Sequence, residues 1–110
     1  MKKMTQKQAW AYTAELWANA KIGEHGTGKR LPIVSIEGCS WKYAGICGVI
    51  NELFSLGVIS ERIHAIMKAK IPKPKYAWGR NDPVWAFPLD MKGAKQRAAF
   101  CLLQARLLSK

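Results

Sequence analysis

Ile46-Cys47-Gly48-Val49-Ile50-Asn51-Glu52-Leu53-Phe54-Ser55-Leu56-Gly57-Val58-Ile59-Ser60-Glu61-Arg62-Ile63-His64-Ala65-Ile66-Met67 reads as two helices joined by a short turn. Apolar residues recur three and four positions apart at Ile46, Val49, Ile50, Leu53 and Phe54, with Leu56 beyond, so a helix is expected over residues 41–56, with Ser40 placed to cap it. Its apolar density marks it as the central helix. Gly57 ends it, because the residue past a helix end often takes a positive φ that only glycine adopts at no cost. Ser60 then caps a helix over 61–70 with Ile63, Ile66 and Met67 inward, and Pro72 and Pro74 stop it. A glycine followed six positions later by a branched apolar residue, here Ile63, is the pattern of a helix–turn–helix, and Leu56, Val58 and Ile66 fit its apolar positions. Glu52 stands where that motif is usually apolar and Leu53 where it is usually small. An ordinary αα-hairpin accounts for the same glycine and cap. In the helix–turn–helix reading, Ser60, Glu61, Arg62, Ala65 and Lys68 line the outer face of the recognition helix, and Glu61 opposes phosphate contact.

Toward the N-terminus, residues 5–21 read as a helix capped by Thr5, with Trp10, Thr13 and Trp17 on one face and Ala9, Leu16 and Ala20 beside them. Two tryptophans on such a stripe are core residues first. Three glycines within residues 22–30 predict a loop without regular structure. Ile33, Val34 and Ile36 form a short strand near 33–36, placed at a sheet edge because Pro32 lacks a ladder donor. Toward the C-terminus, Tyr76–Trp78 and Val84–Phe87 frame a Gly79–Pro83 turn, a hairpin over 76–87. Asp90 caps a last helix over 91–108, whose Ala94, Ala98, Cys101, Leu102, Ala105 and Leu108 share a face. The fold class is mainly α with a small β element, about four helices, in an order compatible with a winged helix. The chain forms one domain, 1–110, with residues 1–4 disordered.

The formal charge is +11, from 18 basic and 7 acidic residues, a large excess for 110 residues. Such a field favours nucleic acid or a nucleoprotein, an acidic membrane surface or an acidic protein as partner, the alternative being a merely solvated surface. Three cysteines, Cys39, Cys47 and Cys101, are an odd count, and no apolar leader follows the charged first residues. Both features point away from a secreted disulfide scaffold and toward the cytoplasm. No run approaches the roughly 18–20 apolar residues of a membrane span, so no membrane partner is expected.

The catalytic motifs are weak. Gly23-x-x-x-x-Gly28-Lys29 resembles a phosphate loop, but Arg30 replaces the magnesium-binding hydroxyl and Leu31-Pro32 follows instead of a helix. A basic loop with residual anion binding by Lys29 and Arg30 explains it. The cysteines and His25 and His64 lack zinc-site spacing, so no metal and no cofactor are expected. Cys47 and Cys101 read as small buried side chains. The chain is therefore read as a non-enzyme, with a site built from Cys47 and His64 or His25 as the remote alternative.

Lys68, Lys70, Lys73, Lys75 and Arg80 interleave with Tyr76, Trp78 and Trp85. Cations neutralise phosphates and aromatic rings stack on bases. The competing explanation is that Trp78 and Trp85 clamp strands to the core beneath solvated lysines. The residues expected to bind nucleic acid or an acidic partner are Lys29, Arg30, Arg62, Lys68, Lys70, Lys73, Lys75, Tyr76, Trp78 and Arg80.

Cys47-Gly48, Leu56-Gly57-Val58-Ile59-Ser60, Met67, Phe87-Pro88-Leu89, Gly93-Ala94 and Arg97-Ala98-Ala99-Phe100-Cys101 together resemble small uncharacterised accessory proteins encoded by phages and prophages, over roughly residues 8–105. The resemblance rests on glycine, apolar and cysteine positions and brings no catalytic residue. It implies a mobile-element protein that regulates transcription or blocks host defence, including CRISPR machinery, by association and not by chemistry.

Overall fold

The computed structural model describes residues 3–25, 29–36, 42–43, 46–71 and 91–108. They form α1 (Gln6–Ala18), β1 (Lys21–His25), β2 (Lys29–Ser35), β3 (Lys42–Tyr43), α2 (Ile46–Ser55), α3 (Glu61–Lys70) and α4 (Met91–Leu107). The protein is mainly α with a small β element. The expected hairpin over 76–87 and the Ser40 and Asp90 caps lie outside the described residues.

α1 starts where Thr5 closes a reciprocal capping box. Its hydroxyl accepts from the Gln8 N–H at 3.1 Å, while its own N–H donates to Gln8 Oε1 at 2.9 Å. The buried stripe is Ala9, Trp10, Thr13, Ala14 and Trp17. Thr13 satisfies its hydroxyl by donating to the Ala9 carbonyl at 2.8 Å, which lets a polar side chain sit in the core. Residues 3 and 4, expected to be disordered, are held. Met4 N–H donates to the Val58 carbonyl at 2.8 Å, its side chain packs on the core, and Lys3 Nζ donates to the Gly57 carbonyl at 3.3 Å.

The largest packing between elements is α1 on α4. Trp10 meets Phe100 edge-to-face at 5.8 Å, and Arg97 lies over Trp17 at 5.0 Å, so the later residue of α1 pairs with the earlier of α4 and the helices run antiparallel. Gly93, Ala94, Cys101 and Ala105 are the small inward residues of α4 that leave room for the indoles. α1 and α2 both feed one core cluster, Trp10 and Trp17 from the first and Ile46, Val49, Ile50 and Leu53 from the second. Leu102 and Leu108, expected inward, are exposed, and Arg97 takes the inward place between Ala94 and Cys101.

Two expectations about the middle of the chain are corrected. Residues 21–25, expected as the end of α1 and the start of a loop, form β1, antiparallel to β2, with Gly23 opposite Leu31. A Cβ at Gly23 would stand 2.5 Å from Ile33 Cδ1, so glycine here admits a neighbour's side chain instead of breaking the strand. The strand expected at 33–36 spans 29–35 and is the middle strand of a sheet ordered β1-β2-β3, not an edge. Pro32 is accommodated because β3 pairs only with Val34 and Ser35, so no β3 ladder bond is lost at Pro32. Lys42–Tyr43, expected in a helix, are β3, because pairing with β2 satisfies their backbone, and α2 begins at Ile46.

α2 buries Ile46, Val49, Ile50 and Leu53. Gly57 follows with φ 76°, and Ser60 caps α3 by accepting from the Ile63 N–H at 3.2 Å.

Candidate nucleic-acid interface

α3 anchors inward through buried Met67 and half-buried Ile63 and Ile66, and Ile71 closes its end against the core. At 100° per residue this sends Ala65 and Ala69 outward between Lys68 on one margin and Arg62 on the other, while Lys70, in the last turn, falls outside this stripe. All five are exposed, and so is Glu61, at the N-terminal end on the Lys68 side. The expected outer face of the helix is thus exposed apart from Ser60, which is half-buried in its capping role.

The α2–α3 seam is braced by a chain of polar contacts. Asn51 Nδ2 donates to Cys47 Sγ at 3.6 Å, and His64 Nε2 donates to Asn51 Oδ1 at 2.8 Å, which sets the tautomer of a neutral ring. The same imidazole stacks on Phe54 at 4.4 Å with 13° between planes. Burial, then the Lys68 charge, holds His64 below its ordinary 6.5, partly offset by Glu61. Cys47 and His64, paired in the remote enzymatic reading, are joined through Asn51, and an amide does not carry a proton from thiol to imidazole. Cys47, expected buried, is half-buried. Cys101 is fully buried, and burial pushes its thiol up to about 12.

Arg30 is exposed on β2 with Glu24 opposite it in the ladder, so an acid facing it reduces its local field. Lys29 pairs with His25 in the same ladder. Gly23 sits within β1, which removes the phosphate-loop reading: amides engaged with β2 do not cradle a phosphate. Lys73, Lys75, Tyr76, Trp78 and Arg80 lie outside the described residues. Among the described residues, exposed cations occur on α1, β1, β2, α3 and α4, so the surplus is distributed; α3 carries three of them, Arg62, Lys68 and Lys70, on ten residues.

Arg97 is one of the 18 basic residues behind the charge excess. It is 1% exposed and belongs to the α1–α4 interface through Trp17. The signal available was its place one turn from Ala94 and Cys101, on the inward stripe. A groove of about 640 Å³ between α1 and the sheet is lined, among the described residues, by apolar side chains with one acid, Glu15, and one base, Lys21, and by none of the described residues expected to bind. Among the described residues, no three His, Cys, Asp or Glu side chains gather as metal ligands, and no helix is long and apolar enough to cross a membrane.

Comparison of the chain with protein-family models, with characterised proteins and with solved structures gave no match.

Proposed function

We propose that this protein is a non-enzymatic accessory protein of a phage or other mobile element that acts in the cytoplasm by binding nucleic acid or a nucleoprotein through its cationic surface. The observation that carries this reading is the outward face of α3, where Arg62 and Lys68 flank exposed Ala65 and Ala69. Three exposed cations on one ten-residue helix, Lys70 in its last turn being the third, in a chain of net charge +11, favour a polyanion over a neutral ligand. Arg30 and Lys29 on β2, and Lys73, Lys75, Tyr76, Trp78 and Arg80 in the segment that follows α3, are proposed to extend the contact, the cations to phosphate and the rings to bases. Fluorescence anisotropy with labelled duplex DNA, single-stranded DNA and RNA at about 50 mM salt tests it. Binding that weakens steeply as salt rises is expected. Absence of a complex with all three probes refutes it.

A second reading is favoured by one observation. Leu102, Leu103 and Leu107 are exposed on α4, a helix without any acidic residue. Leucines add nothing to phosphate binding but suit a protein surface with acidic surroundings. On this reading the protein inhibits a host defence complex, as anti-CRISPR proteins do, by docking on an acidic protein face. A pull-down from nuclease-treated host lysate separates the two: one protein retained after nuclease supports the inhibitor, and loss of all partners supports nucleic acid.

A further inference from the structure

We infer that the nucleic acid is duplex DNA, and that α3 lies in its major groove as the second helix of a helix–turn–helix unit formed with α2. This rests on the nucleic-acid reading above and narrows it to one ligand class and one element.

The turn has the glycine, the cap and the apolar spacing that such a unit uses. Gly57 takes φ 76°, reversing the chain directly after α2, and the Ser60 side chain caps the next helix three residues later. Ile63, six positions after the glycine, turns inward with Ile66 and Met67. The His64–Asn51 hydrogen bond and the His64–Phe54 stack fix α3 on α2 from the side, and the Met4–Val58 bond ties the N-terminal segment to the turn. α3 is therefore presented on a braced support, not on a loose arm.

Its outward surface fits a groove. The middle of the stripe is Ala65 and Ala69, so no long side chain keeps the helix away from a groove floor. Arg62 and Lys68 leave the helix on opposite margins of that stripe, about 120° apart, where the two phosphate strands bordering a groove would lie. The B-DNA major groove, about 12 Å wide, accepts a helix about 10–12 Å across, whereas the A-form groove of duplex RNA is too deep and narrow. A single strand offers no pair of walls for the two margins. A second copy of this chain is disfavoured because the face is cationic. Glu61, the one acid on this face, stands at its N-terminal end on the Lys68 side and weakens the phosphate contact there.

The test uses the full chain and three probes of one mixed sequence: a DNA duplex, the single DNA strand and the RNA duplex. The DNA duplex is expected to bind roughly tenfold tighter than the other two. Ala65→Glu is expected to weaken duplex binding roughly tenfold or more, and Arg62→Ala and Lys68→Ala each to lower the salt-dependence slope by about 1. Lys95→Ala, on α4, is expected to leave both quantities unchanged. Circular dichroism melts report whether each variant folds; should Ala65→Glu not fold, Ala69→Gln probes the same stripe with a neutral side chain. Equal affinity for the single strand or the RNA duplex overturns the inference while nucleic-acid binding stands. A folded Ala65→Glu or Ala69→Gln with undiminished duplex affinity overturns it too. No binding to any probe removes both readings together.

Discussion

Gly57 and Cys101 show how much a single position decides. At φ 76° a Cβ would crowd the following carbonyl, although the space around Gly57 is open. The cost of Gly57→Ala is thus conformational and not steric with neighbours. The variant is expected to be less stable by about 1–2 kcal/mol, read from the midpoint of urea unfolding; an unchanged midpoint would show that the turn relaxes. Cys101 is raised from 9.0 to about 12 by burial. The unfolded chain releases this proton near 9 while the folded chain holds it to about 12. Stability from this group is fully present below pH 9 and is lost between 9 and 12. Cys101→Ala is expected to flatten the alkaline arm of stability against pH, measured by denaturant unfolding at a series of pH values. His64 works in the opposite direction. Its folded value lies below 6.5, so its contribution is present above that pH and is lost on acidification. The cap at Ser60, the glycine at 57 and the core role of Cys101 were all readable locally, because each depends on bonds or contacts that the residue type dictates.

Among the elements, helices were legible and strands were not. A period of 3.6 shows in α1, α2 and α3, whose inward residues come from the predicted stripes. β1 carries Gly23 and two charged residues in five, so its composition opposes a strand. Only the partner strand reveals why glycine is admitted, since Ile33 fills the space a side chain would need. α4 illustrates the limit for helices: its existence and the inward placing of Ala94, Ala98, Cys101 and Ala105 were legible, but the edges of the buried face were not. The expected face ran on to Leu102 and Leu108, which are exposed, whereas the buried face takes in Gly93 and Arg97 against Trp10 and Trp17. A paired substitution tests this orientation. Ala105, 3% exposed, mutated to Leu, is expected to destabilise by about 1–3 kcal/mol through overpacking. Leu103, 52% exposed, mutated to Gln, is expected to shift stability by no more than about 0.5 kcal/mol. A large loss for Leu103→Gln would mean that α4 is turned the other way.

For the molecule as a whole, charge is the dominant constraint. With 18 basic against 7 acidic residues, the folded state confines like charges to a smaller volume than the unfolded chain. Raising sodium chloride from about 0.05 to 0.5 M is expected to raise the melting temperature by a few degrees, because the Debye length falls from about 14 to 4 Å. A melting temperature that drops or stays flat would show that local ion pairing outweighs the repulsion. The proposed interface is partly legible on the same basis: Arg62 and Lys68 are exposed as charge and helical period require. Composition and periodicity were enough to specify the helix-rich class, the cationic character and the two-helix turn at Gly57, since transfer free energy, net charge and backbone sterics act on each residue or its near neighbours. Tertiary packing alone decided that α4 leaves Leu102 and Leu108 exposed, that Arg97 leaves the surface to lie over Trp17, and that a glycine-bearing stretch pairs as β1, because those outcomes depend on the volume and unsatisfied backbone of partners tens of residues away.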